Sequence, residues 1–153
     1  MEQFIGTKIV KAEPAYRFTG VKPDYKAPGQ IGSEETMALL EDSGWEIIDK
    51  EEGYKVRYEG GYESWSPKEV FEAAYRRTDG MSFGLAIEAA KMGKKIARAG
   101  WNGKGQHVEL GRNFRYNTSD GKALVFVGTR GTQVGWLASQ ADMLADDWMI
   151  VEG

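Results

Sequence analysis

The apolar positions of this chain change period several times. Phe4-Ile-Gly-Thr-Lys-Ile-Val10 has the density of β-branched residues expected of a strand. Residues 12–33 hold three of the four prolines with Gly20, Gly29 and Gly32, and predict an irregular loop. Ser33, with Glu35 and Thr36 behind it, predicts the start of a short helix reaching Asp42, where Gly44 stops it. Trp45–Ile48 and Tyr54–Tyr58 predict two strands, the second alternating apolar and cationic side chains. Gly60-Gly61 marks a hairpin turn into Tyr62–Trp65. Ser66-Pro67-Lys68-Glu69 combines a Ser cap, a proline at the first helical position and a glutamate three after the cap. The helix it opens would bury Val70, Ala73 and Ala74, with Phe71 nearby.

A second helix start follows at Ser82. Phe83, Ala86, Ile87 and Ala90 then recur at helical spacing until Gly93, with Lys91 in the last turn where it suits the helix dipole. Beyond it the chain predicts strands at Lys94–Ala99, Gln106–Leu110, Ala123–Gly128, Thr132–Leu137 and Trp148–Glu152. A helix followed by a run of short strands means an α+β fold: a small N-terminal α+β module, then a helix packed on a mostly antiparallel sheet of four to five strands.

Composition refines this picture. The 153 residues are 41% hydrophobic and 28% charged, as in a globular protein, and 20 glycines point to many tight turns. Residues 1–80 carry 11 Lys/Arg against 16 Asp/Glu, a net of −5, whereas residues 81–153 carry a net of +2. The change falls at the polar, turn-prone segment Arg76-Arg-Thr-Asp-Gly80, which separates a module at 1–78 from a domain at 81–153. An anionic ligand is better placed in the second. The overall charge of −3 argues against a dedicated duplex-DNA binder. No apolar run approaches the roughly 20 residues that span a bilayer, and the N-terminus has no signal-peptide pattern, so a cytoplasmic location is expected. Zero cysteines exclude disulfide and thiolate chemistry, and a single histidine excludes a His-cluster metal site.

The chemistry concentrates near the C-terminus. Trp136-Leu-Ala-Ser-Gln-Ala-Asp-Met-Leu-Ala-Asp-Asp-Trp148 interleaves two indoles with a Ser-Gln pair and three aspartates, and Arg98-Ala-Gly-Trp-Asn-Gly-Lys104 sets a third indole beside an amide and two cations. Flat π-faces among short donors and acceptors suit a nucleotide-like ligand. Each feature also has a structural alternative. Trp101-Asn102-Gly103 suits a hairpin corner with the indole in the core. Ser139 and Asp142 suit a helix cap. The basic cluster Lys91, Lys94, Lys95 and Arg98 could hold phosphates near the Trp101 ring, with a solvated face as its structural alternative. Trp148 and Phe83 suit the core, and His107 alternates with Val108 and Leu110 and should face solvent. Asp146-Asp147 suits either a surface or a hard cation. The glycine-flanked segments 103–105 and 128–131 are not Walker-type loops.

Taken together, residues 81–152, carrying Ser82–Lys104 and then Trp136–Trp148, resemble the Thoeris anti-defense 2 family of small phage proteins. Tyr62–Tyr75 is similar to a short module recurrent in phage-encoded proteins, from which no site is carried over. The family resemblance implies a non-enzymatic sponge with no cofactor, no metal and no catalytic residue. It would bind a glycocyclic ADP-ribose immune signal, and in some members cyclic oligonucleotides, and hold it intact. It also implies a homo-oligomer, often a tetramer, in the host cytosol. On matching positions, Trp101 and Trp136 would be ring-stacking walls and Phe83 a supporting wall. Asn102, Ser139 and Asp142 would make polar contacts, and Arg98 would meet the pyrophosphate. Two other classes stay in view: a Mg²⁺-dependent phosphodiesterase built on Asp142, Asp146 and Asp147, and a protein-interaction module with every tryptophan in the core.

Overall fold

The computed structural model describes residues 1–101, 103–112 and 121–152. They form two compact units, Met1–Tyr75 and Arg76–Gly153, both mixing helix with a larger share of strand.

The first unit holds β1 (Lys11–Lys22), β2 (Tyr25–Gly32), α1 (Glu34–Asp42), β3 (Glu46–Arg57), β4 (Glu63–Pro67) and α2 (Lys68–Ala74). Its sheet is antiparallel in the order β2-β1-β3-β4. The helix expected after Ser33 is present, its cap hydroxyl accepting from the Thr36 N–H at 3.2 Å, and Gly44 closes it at φ 92°. Phe18 and Met37 are buried between that helix and the sheet.

Several expectations are corrected here. The strand expected at Phe4–Val10 does not form; the first strand begins at Lys11, and Phe4 and Ile5 are exposed. The expected loop at 12–33 is a hairpin. Its prolines fall where a sheet tolerates them: Pro14 where β2 does not reach β1, Pro23 in the turn, and Pro28 on the edge strand. Asp24 takes the left-handed conformation that the two-residue turn needs, at φ 67°. The two strands expected at 45–48 and 54–58 are one strand, because charges at 49–52 pair across the sheet rather than break it, as in Arg17–Glu51 at 2.9 Å. The second helix starts one residue late: Ser66 stays in β4, Pro67 takes the cap position, and no side chain caps it. Val70, Ala73 and Ala74 are exposed. Phe71 packs instead, stacked between Tyr54 at 4.3 Å and Tyr75 at 4.8 Å, so ring contacts rather than an aliphatic stripe hold the helix.

The second unit holds α3 (Phe83–Lys91), β5 (Lys95–Arg98), β6 (His107–Gly111), β7 (Ala123–Gly128), β8 (Gly131–Val134), α4 (Gln140–Met143) and β9 (Trp148–Val151). Its five strands are antiparallel in the order β8-β7-β6-β5-β9. Ser82 caps α3, accepting from the Leu85 N–H, and Gly93 ends it at φ 89°. The helix turns Ala86, Ala89 and Ala90 inward. Such small side chains let it lie close against Ile96, Val108 and Trp148, each fully buried. Ile96 pairs with both Val108 and Ile150, and Val108 with Phe126, so one apolar row crosses four strands.

Candidate functional site

Four aromatic rings of the second unit are each placed by a short element. Trp101 follows β5 and its backbone N–H returns to the Arg98 carbonyl at 3.2 Å. Phe126 stands on β7, and Trp136 follows the sharp exit from β8 at Gly135, where φ is 79°. Trp148 opens β9. The four rings meet. Trp101 lies edge-to-face with Phe126 at 5.5 Å, Trp136 at 6.0 Å and Trp148 at 5.4 Å, while Phe126 and Trp136 are nearly parallel at 6.5 Å. Trp148 is fully buried and its indole N–H donates to the Asp142 carbonyl at 2.8 Å. Trp101, Phe126 and Trp136 are half-buried and keep part of their surface in solvent.

The residues singled out in the sequence are therefore largely gathered, but not all in the way a pair of facing walls requires. Trp101 and Trp136 touch at 75° between ring planes, so they do not enclose a parallel slot. Phe83 reaches the cluster through Trp148, with ring centroids 5.5 Å apart. Asn102 lies outside the described residues. Sequence reasoning missed Phe126, which touches both half-exposed indoles. Its alternation with Leu124 and Gly128 along β7 was the available signal.

Beside the rings, Ser139 and Asp142 form a reciprocal cap on α4. The Ser139 hydroxyl accepts from the Asp142 N–H and the Asp142 carboxylate from the Ser139 N–H, both at 3.1 Å. That hydroxyl still has a proton to donate. Arg98 spans two carboxylates: Nε donates to Asp147 Oδ1 at 2.9 Å and Nη1 to Asp142 Oδ1 at 3.1 Å. These hydrogen bonds, that to Asp147 first, raise the Arg98 pKa above its ordinary value. They also hold the Asp147 carboxyl below its usual range. At Asp142 partial burial pushes the pKa up, but the Ser139 N–H and the Arg98 guanidinium outweigh it, and the net shift is downward.

The remaining chemistry-bearing residues sit elsewhere. His107 does not face solvent freely: its side chain is 13% exposed, with Nδ1 2.9 Å from the Gly105 carbonyl and Nε2 3.6 Å from Glu109. The turn after Gly103 holds it in. Lys91 pairs with Glu88 at 3.1 Å, and residues 128–131 are the tight turn between β7 and β8. Among the described residues no cluster of three or more His, Asp or Glu side chains is spaced to hold a metal ion, and no helix is long and apolar enough to cross a membrane. In the first unit a hollow of about 550 Å³ between α1 and β3 is lined by Met37, Ala38, Ile47 and Ile48. Its charged lining, Glu34, Glu41 and Asp49 against Lys50, is net negative and disfavours an anionic nucleotide, so the aromatic cluster is the better candidate.

The second unit is thus a small α+β domain with two partly buried indoles and a capped turn in the same C-terminal stretch. The model of the Thoeris anti-defense 2-like domain matches residues 81–151. The chain is also similar to Thoeris anti-defense 2 of Bacillus phage SP01, 33% identical over 84 residues, a stretch covering 46% of this chain and 94% of that protein. The chain belongs to the Thoeris anti-defense 2 family. The family-model match falls within the second unit, where the aromatic cluster lies.

Proposed function

We propose that this chain is a non-enzymatic sponge, which binds a cyclic nucleotide immune signal of the glycocyclic ADP-ribose type and keeps it from its receptor. The observation that carries the reading is the touching pair Trp101 and Trp136, only partly buried, with the Ser139 cap three residues after Trp136, in the domain that matches the family. Each indole presents a flat face for a base. Ser139 has a proton for a ribose or phosphate oxygen, and Asn102 and Asp142 supply further polar contacts.

A sponge must outcompete a receptor, which sets nanomolar binding, about 12 kcal/mol, as its working range. Stacking at about 1–3 kcal/mol per base does not reach that alone. A second copy of the chain closing over the outward side of the ring cluster supplies the rest, so assembly as a homo-oligomer is part of the proposal.

Calorimetric titration against cyclic ADP-ribose isomers and cyclic di- and trinucleotides tests it. Glycocyclic ADP-ribose is expected to bind, and Trp101→Ala to weaken binding roughly tenfold to a hundredfold, the worth of one stacked base. Full affinity in that variant would remove Trp101 from the site. Turnover of the ligand that EDTA abolishes would favour a metal-dependent hydrolase instead.

A further inference from the structure

We infer that Arg98 touches no ligand and is instead a positioning residue, clasping the Trp101 corner to the Trp136–Asp142 turn. The inference rests on the sponge reading for its consequence in binding, and on geometry for the clasp. Three segments converge on this one guanidinium. Its own strand, β5, leads three residues later to Trp101. Asp147, bonded at 2.9 Å, stands directly before the buried Trp148; its backbone carbonyl accepts from the Ala99 N–H at 3.1 Å and its carboxylate from the Gly100 N–H. Asp142, bonded at 3.1 Å, is the third residue of the cap whose Ser139 lies three positions after Trp136.

The charge count argues against a phosphate contact. One cation stands between two carboxylates, so an arriving pyrophosphate meets a net negative group. Burial points the same way: the Arg98 side chain is 22% exposed and that of Asp142 15%. Both guanidinium edges used are fixed by the fork geometry of arginine, which a single ammonium does not reproduce. The clasp therefore sets how far apart the Trp101 ring and the Ser139 hydroxyl stand.

Two conservative variants separate a clasp from a ligand contact. Arg98→Lys keeps the charge and loses the double bridge. Asp147→Asn loosens the bridge and makes the site more positive by one charge. A phosphate-binding Arg98 predicts tighter binding in Asp147→Asn and near-normal binding in Arg98→Lys. A clasp predicts that both weaken glycocyclic ADP-ribose binding by about tenfold, within the range for groups coupled in one ion-pair network. It also predicts that both shift the Trp101 and Trp136 indole N–H resonances of the ligand-free protein. The neighbouring Asp146→Asn, at an exposed position, should leave both readouts at their wild-type values. Where Arg98→Lys fails to fold, Asp147→Asn carries the test, since one of the two bonds remains. Unchanged or tighter binding in Asp147→Asn, or indole resonances that stay in place, overturns the inference. A wild type that does not bind glycocyclic ADP-ribose defeats the sponge reading alone, and the indole resonances then decide the clasp.

Discussion

The two units solve the same problem, a small sheet with little helix to cover it, by different means. In the second, α3 lays three alanines against Ile96, Val108 and Trp148, giving a continuous core that also includes Met81. In the first, buried apolar side chains are small or scattered: Ala15, Phe18, Met37 and Val56. Much of what holds it together is ring and cation contact. Trp65 packs against Gly53, its indole N–H donates to the Ala15 carbonyl at 2.9 Å, and the Arg17 guanidinium lies 4.6 Å from its ring centre. Tryptophan thus plays two roles. In the first unit Trp65 substitutes for a missing layer; in the second the layer exists, and two of three indoles are only partly buried. Surplus aromatic surface beside an adequate core is what a binding domain can spare for a ligand.

That contrast can be broken at several points. The largest effect is expected from Trp148→Ala, which empties a fully buried site and strands the Asp142 carbonyl. It should cost about 3–5 kcal/mol, seen as a lower denaturation midpoint and faster amide exchange in β5 and β9. Next, Gly53→Ala would push a methyl into the Trp65 ring and the Ser66 carbonyl. A loss of about 1–3 kcal/mol is expected, with red-shifted Trp65 fluorescence; a neutral result would show that the indole does not depend on the glycine. Ser139→Ala removes one half of the α4 cap and should cost about 1 kcal/mol by chemical denaturation.

The smallest effect concerns acid. Asp142 and Asp147 are both held below the ordinary aspartate value of 3.8. Their contribution to stability is therefore whole above that pH, fades as the pH drops beneath it, and is gone below the depressed values. A double Asp142→Asn, Asp147→Asn variant should show a shallower acid limb than wild type in melting temperature against pH. Equal limbs would mean the ion pairs add nothing.

Much of this was legible in the sequence, for reasons that differ by element. Ser33, Ser82, Gly44 and Gly93 bound their helices because cap and stop chemistry is local. The β7 strand and the burial of Trp148 followed from alternation and size. What failed depended on partners distant in the chain. The charged run 49–52 looks like a break until Arg17 stands opposite, and Pro14 looks like a loop until β2 is seen to stop short of it. In the site, Trp101, Trp136, Ser139 and Asp142 were visible as residue types. Their angles, the place of Phe126 among them, and the double bridge from Arg98 depend on tertiary placement that no spacing encodes.

Titration of the wild-type protein with glycocyclic ADP-ribose, followed by heat denaturation and mass analysis of the released ligand, decides whether the protein sequesters the signal intact. The sponge account predicts saturable binding in the nanomolar range and return of the ligand with its mass unchanged. No binding, or release of a linear or hydrolysed product, would contradict it.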